Sequence, residues 1–340
     1  MKNYLDLMKR ILDEGDIKNP ARENMPRTKE LFAQTLVFDL QQGFPLLTTK
    51  KMFLRGVIEE LLWFLSGSTD IGDLIRENVH IWDEDGYRFY RYRFELQKAE
   101  EMANGVPEAE FDKPFTFEEW VKLADGNGCI YNIHAAGKNY SYLWRRWDGN
   151  IDQVVKLLNT IIKSPDSRYQ IVTAWNPTVV AENDVALPSC HLLWQTSVRQ
   201  GKYLDLAIYQ RSCDYALGVP FNVASYALLT YLLSEITCLH PGVLTWIGGS
   251  VHLYENQVDS ALIQLEREPM EMPTLYFCYT DEQAKAVSDC YKSGWTSDRF
   301  TAFIKSLDKD NFDLKYYKSH PKLDFPFSSG LKKEDIKQVW

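Results

Sequence analysis

Between Lys51 and Gly67 the chain reads KMFLRGVIEELLWFLSG, a helix-length stretch that is apolar on nearly every face. A helix of this kind has no side to offer water and is covered in a core or a subunit interface. The rest of the chain must therefore supply layers to cover it. Residues 3–14 place Tyr4, Leu5, Met8, Ile11 and Leu12 on one face of an amphipathic helix that Gly15 stops. Further helices are expected at 151–163, 221–238 (FNVASYALLTYLLSEITC) and 255–266. Segments 31–40, 169–175, 191–198, 203–209 and 243–252 read as strands, with a turn at Gly43-Phe44-Pro45. Strands and helices without strict alternation indicate an α+β fold, here a large mixed sheet packed on helices.

Residues 85–138 differ in character. A charged aromatic run (YRFYRYRFELQKAEEM) is followed by a loop-like stretch and the helical TFEEWVKLAD. We read them as an inserted small subdomain within a single catalytic domain of 340 residues, and 328–340 as a polar C-terminal tail extension. Arg88, Arg91 and Arg93 stand among acids, and the net charge is -9, so a broad nucleic-acid footprint is not expected. A few pocket arginines still suffice for one phosphate. The six cysteines form no C-x-x-C pair, which argues against zinc or another metal and for reduced thiols in the cytoplasm. No apolar run reaches signal-peptide or membrane-span length.

The chemistry concentrates in three segments. LPSCH (187–191) sets Cys190 at the mouth of a strand. A lone Cys-His pair is most often structural. YQRSCDYALGVPFN (209–222) then adds Arg211, Ser212, Asp214 and Asn222, and an arginine near a cysteine favours the thiolate and binds phosphate. GGSVHLYEN (248–256) puts His252 and Tyr254 two apart on a strand, facing the same way. His191, next to Cys190, is expected on the opposite strand face, which speaks against a cysteine-protease pair.

With GFPLLTTKK, EELLWFLSGST, IWDED, LPSCH, QRSCD, LGVPFN and HLY in this order, the chain resembles the thymidylate synthase family over most of its length outside 85–138 and the last dozen residues. The resemblance implies that fold, a symmetric homodimer, and one-carbon transfer from the cosubstrate 5,10-methylenetetrahydrofolate to C5 of dUMP, with no metal, membrane or nucleic acid required. It implies Cys190 as nucleophile on C6, Glu60 as a proton relay through water, and Tyr140 assisting at the C5 proton. A buried acid in an apolar helix, as Glu60 would be, is costly unless used. Asn222 would read the uracil edge with one donor and one acceptor. Arg211, Ser212, Arg22 and, across the dimer, Arg168 would hold the phosphate. His252 and Tyr254 would hold the ribose. Asp214 would bond the pterin, Trp82, Leu187 and Phe221 would pack on the folate, and Lys50 would meet its glutamate tail. Plainer roles compete: Trp82 as core, Lys50 as a solvated lysine, Arg168 as a surface ion pair, Asp214 as a helix cap.

The departures bear on the product. The family's Arg-Thr-Gly-Thr loop reads ARENMPRTKE, leaving Arg22 and Arg27 as phosphate candidates. Its paired arginines are Arg168-Tyr169, its Tyr-Gly-x-Gln-Trp-Arg has become Tyr140 to Arg145 without Gly or Gln, and its Asp after two glycines is Ser250. After His320-Pro321 the tail runs on to Val339-Trp340. If hydride reduces the exocyclic methylene intermediate, the product is thymidylate; if water attacks, it is 5-hydroxymethyl-dUMP. Trp82 is retained, which places reduction first and hydroxymethylation as the alternative. Survival of Cys190, Arg211, Asp214 and Asn222 leaves an inactive nucleotide-binding relative as a remote third reading.

Overall fold

The computed structural model describes residues 1–19, 25–108, 111, 113–125 and 132–326. In chain order its helices are α1 (Lys2–Glu14), α2 (Leu54–Ser66), α3 (Gly72–Arg76), α4 (Asp83–Ala103), α5 (Phe117–Lys122), α6 (Tyr140–Arg145), α7 (Gln153–Lys163), α8 (Pro177–Ala181), α9 (Gly218–Ile236), α10 (Val258–Leu265), α11 (Asp281–Ser293) and α12 (Ser297–Lys305). The strands are β1 (Asp16–Lys18), β2 (Thr28–Asp39), β3 (Ile171–Thr173), β4 (His191–Arg199), β5 (Tyr203–Asp214), β6 (His240–Tyr254), β7 (Thr274–Phe277) and β8 (Phe312–Lys315). The main sheet has the order β1-β2-β6-β5-β4-β3, and β7 pairs with β8 apart from it. All its neighbours are antiparallel except β5 and β6, which run parallel. This is the mixed sheet of the expected α+β fold.

Period-two alternation decides which face is covered. Leu204, Leu206 and Ile208 of β5 and Leu244 and Trp246 of β6 are buried, and α9 packs on these two strands. Helix α9 begins at Gly218 rather than Phe221: Pro220 falls in its first turn, where a missing N–H leaves nothing unpaired. The apolar stretch after Lys51 is core, since α2 packs on α6, α9 and α12. Gly67 ends α2 in the left-handed region at φ 79 and donates to Phe64 O. Gly15 ends α1 for another reason. Its φ is -67, and a Cβ there would lie 2.4 Å from Ile11 O.

The other face stays bare. Register aligns Thr35, Ile247, Tyr209 and Leu193 in one row across four strands. Val37, Ile171 and Leu193 are 54%, 42% and 39% exposed on that face.

Several elements differ from the sequence pattern. The strand expected at 169–175 contracts to β3, because Asn176 caps α8 with Pro177 in its first turn and draws the chain out of the sheet. The helix expected from 255 opens as a 3-10 turn, Glu255–Gln257, before α10. The charged aromatic run lies within α4, and its rings gather with Phe117 and Trp120 of α5. Residues 328–340, read as a tail extension, and Arg22 lie outside the described residues. No described helix is long and apolar enough to cross a membrane.

Candidate active site

Cys190 stands half-buried just before β4. Tyr140, at the start of α6, clasps this strand entry: its hydroxyl oxygen accepts from Cys190 N at 2.7 Å and His191 N at 3.1 Å. From β5, Arg211 N donates to Cys190 O at 2.8 Å, and the guanidinium donates to Ser189 O at 2.8 Å and Pro188 O at 2.9 Å. The same guanidinium lies 5.6 Å from the Trp175 ring centre. Two elements distant in sequence thus hold the cysteine loop in place.

Next to Tyr140 lies a wall of rings: Phe64 at 4.9 Å and Trp82 at 6.3 Å between centroids, with Trp63 at 5.4 Å from Trp82. Glu60 of α2 ends in this wall, accepting from Trp82 Nε1 at 2.8 Å. Desolvation pushes its carboxyl up to about 7, against the indole bond that lowers it. Burial also pushes the Tyr140 phenol well up, with Cys190 adding to the rise.

Asn222 stands in the first helical turns of α9, its Oδ1 accepting from Gln210 Nε2 at 3.0 Å. Gln210 Oε1 accepts in turn from Trp246 Nε1 at 2.8 Å. This chain sets which end of the Asn222 amide faces which way. Burial holds the His191 imidazole down to about 4, hence neutral, with Asn222 opposing the fall. Its Nδ1 and the hydroxyl of Tyr226 are buried without a hydrogen-bond partner among the described residues.

At the ends of the parallel strands, Asp214 and His252 are register partners. Asp214 Oδ1 accepts from Leu217 N at 3.0 Å and Oδ2 from Gln257 Nε2 at 3.1 Å. Burial raises this carboxyl, and those two bonds, His252 and Lys50 oppose the rise. The rings of His252 and Tyr254 meet at 5.2 Å.

The profile of the thymidylate synthase family matches residues 2–329. The chain belongs to the thymidylate synthase family. Members of this family are transferases of nucleotide biosynthesis that deliver a one-carbon unit from methylenetetrahydrofolate to dUMP, and the predicted residues can be placed against that chemistry.

The fold brings Cys190, Tyr140, Trp82 and Glu60 into one continuous cluster, with Arg211 tied to it through the cysteine loop; Asp214 and His252 pair at the ends of β5 and β6 with Tyr254 beside them, and Asn222 is held by Gln210. Ser212 is half-buried beside Ser250 in the register of β5 and β6. Leu187 and Phe221 are partly buried against the core, one beside the cysteine loop and one beside Asn222.

Other residues sit differently from their reading. Lys50 is not a solvated lysine: it is 3% exposed, donates to Ala216 O at 2.6 Å, and lies 4.5 Å from the ring centre of Phe325. Desolvation lowers its ammonium to about 8, against the charge of Asp214. Arg168 is exposed on the turn before edge strand β3 and forms no ion pair among the described residues. Arg27 pairs with Glu255 at 2.6 Å. Ser250, where the family carries Asp, donates to Glu30 Oε2 at 2.7 Å and lies 3.4 Å from His252 Nδ1. A carboxylate therefore still stands behind His252, supplied from β2.

Sequence reading passed over Gln210, Tyr226 and Gln257, and took His191 only as a residue turned away from Cys190. The His191 ring packs between Tyr140 at 5.1 Å and Tyr226 of α9 at 5.3 Å. Gln210 was visible inside the QRSCD segment; the other contacts join residues whose pairing only the fold creates. Among the described residues no three His, Cys, Asp or Glu side chains are grouped to hold a metal.

Proposed function

We propose that this member of the family makes thymidylate. The Cys190 sulfur bonds to C6 of dUMP, and the electron pair moves to O4 while C5 takes the folate methylene carbon. C5 then loses its proton to the Tyr140 and Glu60 side of the site as the bond between the methylene carbon and the folate nitrogen breaks, leaving an exocyclic methylene on C5. Tetrahydrofolate gives hydride to that methylene carbon, and the sulfur departs from C6 as the C5–C6 double bond reforms. The products are dTMP and dihydrofolate. Asn222 reads the base, His252 and Tyr254 the ribose, and Arg211, Ser212 and Arg22 or Arg27 the phosphate. Asp214, Trp82, Leu187, Phe221 and Lys50 serve the folate side.

The observation that carries the reading is the Trp82 wall. Trp82 is 5% exposed, pinned by its bond to Glu60 and packed on Trp63, Phe64 and Tyr140. Hydride wins over water only where water is kept out, and a pinned aromatic wall does that. The alternative product, 5-hydroxymethyl-dUMP, draws support from Phe325 lying on Lys50, which changes the surroundings offered to the folate tail.

The bare sheet face supports a homodimer, with Arg168 given to the partner's phosphate site. The cytoplasm is the proposed compartment, and 85–138 an inserted subdomain.

The deciding experiment is a product assay with dUMP and methylenetetrahydrofolate, identifying the nucleotide by mass and dihydrofolate by absorbance. Thymidylate and dihydrofolate in equal amounts establish the reading. Hydroxymethyl-dUMP without dihydrofolate replaces it with the alternative. Cys190→Ser must abolish either product while nucleotide binding stays.

A further inference from the structure

Gln257 is fully buried, and its polar atoms reach three separate parts of the fold. Its Oε1 accepts from Tyr254 N at 3.2 Å. Its Nε2 donates to Asp214 Oδ2 at 3.1 Å and to Pro326 O at 3.2 Å. One amide thus holds the carboxylate at the end of β5 and the C-terminal segment together.

That segment is seated by several other bonds. His320 N donates to Thr48 O at 2.8 Å, Arg267 to Pro321 O at 2.8 Å, and Ser260 Oγ to Asp324 O at 2.7 Å. Phe325, 7% exposed, covers Lys50. Of these ties, the one through Gln257 bonds Asp214 directly, while Phe325 meets it only by way of the Lys50 charge. If the segment lifts, a buried N–H loses its acceptor, and an unpaired buried donor is costly enough to force the amide to turn. Turning it releases Asp214 Oδ2.

We propose that Gln257 is a positioning residue that couples the seating of residues 320–326 to the placement of Asp214, so that the folate side of the site is complete only when the segment is down. This rests on the reading that Asp214 serves the folate.

The test compares wild type, Gln257→Glu and Phe325→Ala. Gln257→Glu keeps the shape and the acceptor but removes the donors. It is expected to raise the KM for methylenetetrahydrofolate about tenfold, as loss of a bond to a charged group does, with the KM for dUMP unchanged. Hydrogen exchange should quicken across 320–326. Phe325→Ala, which removes the segment's buried anchor, should quicken exchange at the Leu217 amide, which is bonded to Asp214. Wild-type exchange in both variants overturns the proposal, as does a rise of both KM values in step, the mark of a merely structural residue. Should Gln257→Glu not fold, unchanged folate KM and Leu217 exchange in Phe325→Ala overturn it alone. If wild type turns over neither substrate, the proposed function fails, while the exchange measurements still decide the coupling.

Discussion

Trp82 donates its indole N–H to Glu60 at 2.8 Å inside a wall of aromatic rings, and the ring wall and the N–H act on the carboxyl in opposite senses. Desolvation raises it, the hydrogen bond lowers it, and the result is about 7. Removing the donor leaves desolvation unopposed. In Trp82→Phe the ionised form of Glu60 becomes scarcer at neutral pH. The acid limb of the kcat/KM profile is expected to move to higher pH, by up to about one unit. An unmoved limb would show that Glu60 does not carry the proton.

The same carboxyl costs stability. Its folded-state value lies above the ordinary 4.5, so the folded chain binds more protons than the unfolded chain between 4.5 and about 7. Stability therefore falls as pH rises through that window, by about 3 kcal/mol in all at 1.36 kcal/mol per unit. His191 does the reverse. Its value is held down to about 4 from 6.5, so the unfolded chain binds the extra proton and stability rises with pH between those values. The two slopes nearly cancel where the windows overlap. Glu60→Gln removes one of them: its melting temperature should climb more steeply than wild type from pH 4.5 to 6.5 and exceed wild type at pH 8, while turnover is lost. Parallel melting curves for the two proteins would refute the burial argument.

Asn222 is aimed by Gln210, which donates to its Oδ1 at 3.0 Å. The amide nitrogen is then the group left to meet an acceptor such as O4 of uracil. Asn222→Asp replaces that donor by an oxygen, which suits the amino group of cytosine. The variant is expected to lose about tenfold or more in kcat/KM for dUMP and to gain turnover of dCMP. Unchanged preference for uracil would remove Asn222 from base recognition.

Much of this was legible before the fold was seen. The α+β class followed from the run of strands around largely apolar helices, and the segments carrying Cys190, Arg211 and Asn222 announced themselves. Lys50 did not, because a Lys-Lys pair reads as solvated until Phe325, some 275 positions later, is seen to cover it. Nor did Glu30, whose carboxylate stands behind Ser250 only through the register of β2 with β6. Local pattern reports periodicity and turn chemistry; it says little of which residues long-range pairing will bring together.

Arg145 offers a test of the scaffold alone. It is 4% exposed, and its guanidinium meets both oxygens of Asp152 at 2.8 to 3.1 Å as well as Leu65 O, Ser297 O and Thr301. Breaking one side of a buried pair strands the other charge, at about 3–5 kcal/mol. Arg145→Met should lower unfolding stability in urea by that amount, because α2, α7 and α12 all lose an anchor. Breaking the exposed pair Lys309 and Asp310 should change it by less than about 1 kcal/mol. Equal losses would contradict the burial argument.

The bare sheet face gives the last test. Val37, 54% exposed, lies on the face away from α9, and so away from the cover of the core. A second copy of the chain, the proposed dimer partner, would bury Val37, Ile171 and Leu193 there. Wild type should sediment as a dimer at micromolar concentration. Val37→Asp sets a charge on the face that the proposed partner would cover, where burial without a partner is prohibitive. It should sediment as a monomer and lose turnover with it, although Val37 touches none of the candidate site residues, because the partner's Arg168 no longer reaches the phosphate. A fully active monomer, wild type or variant, would show that each chain carries a complete site.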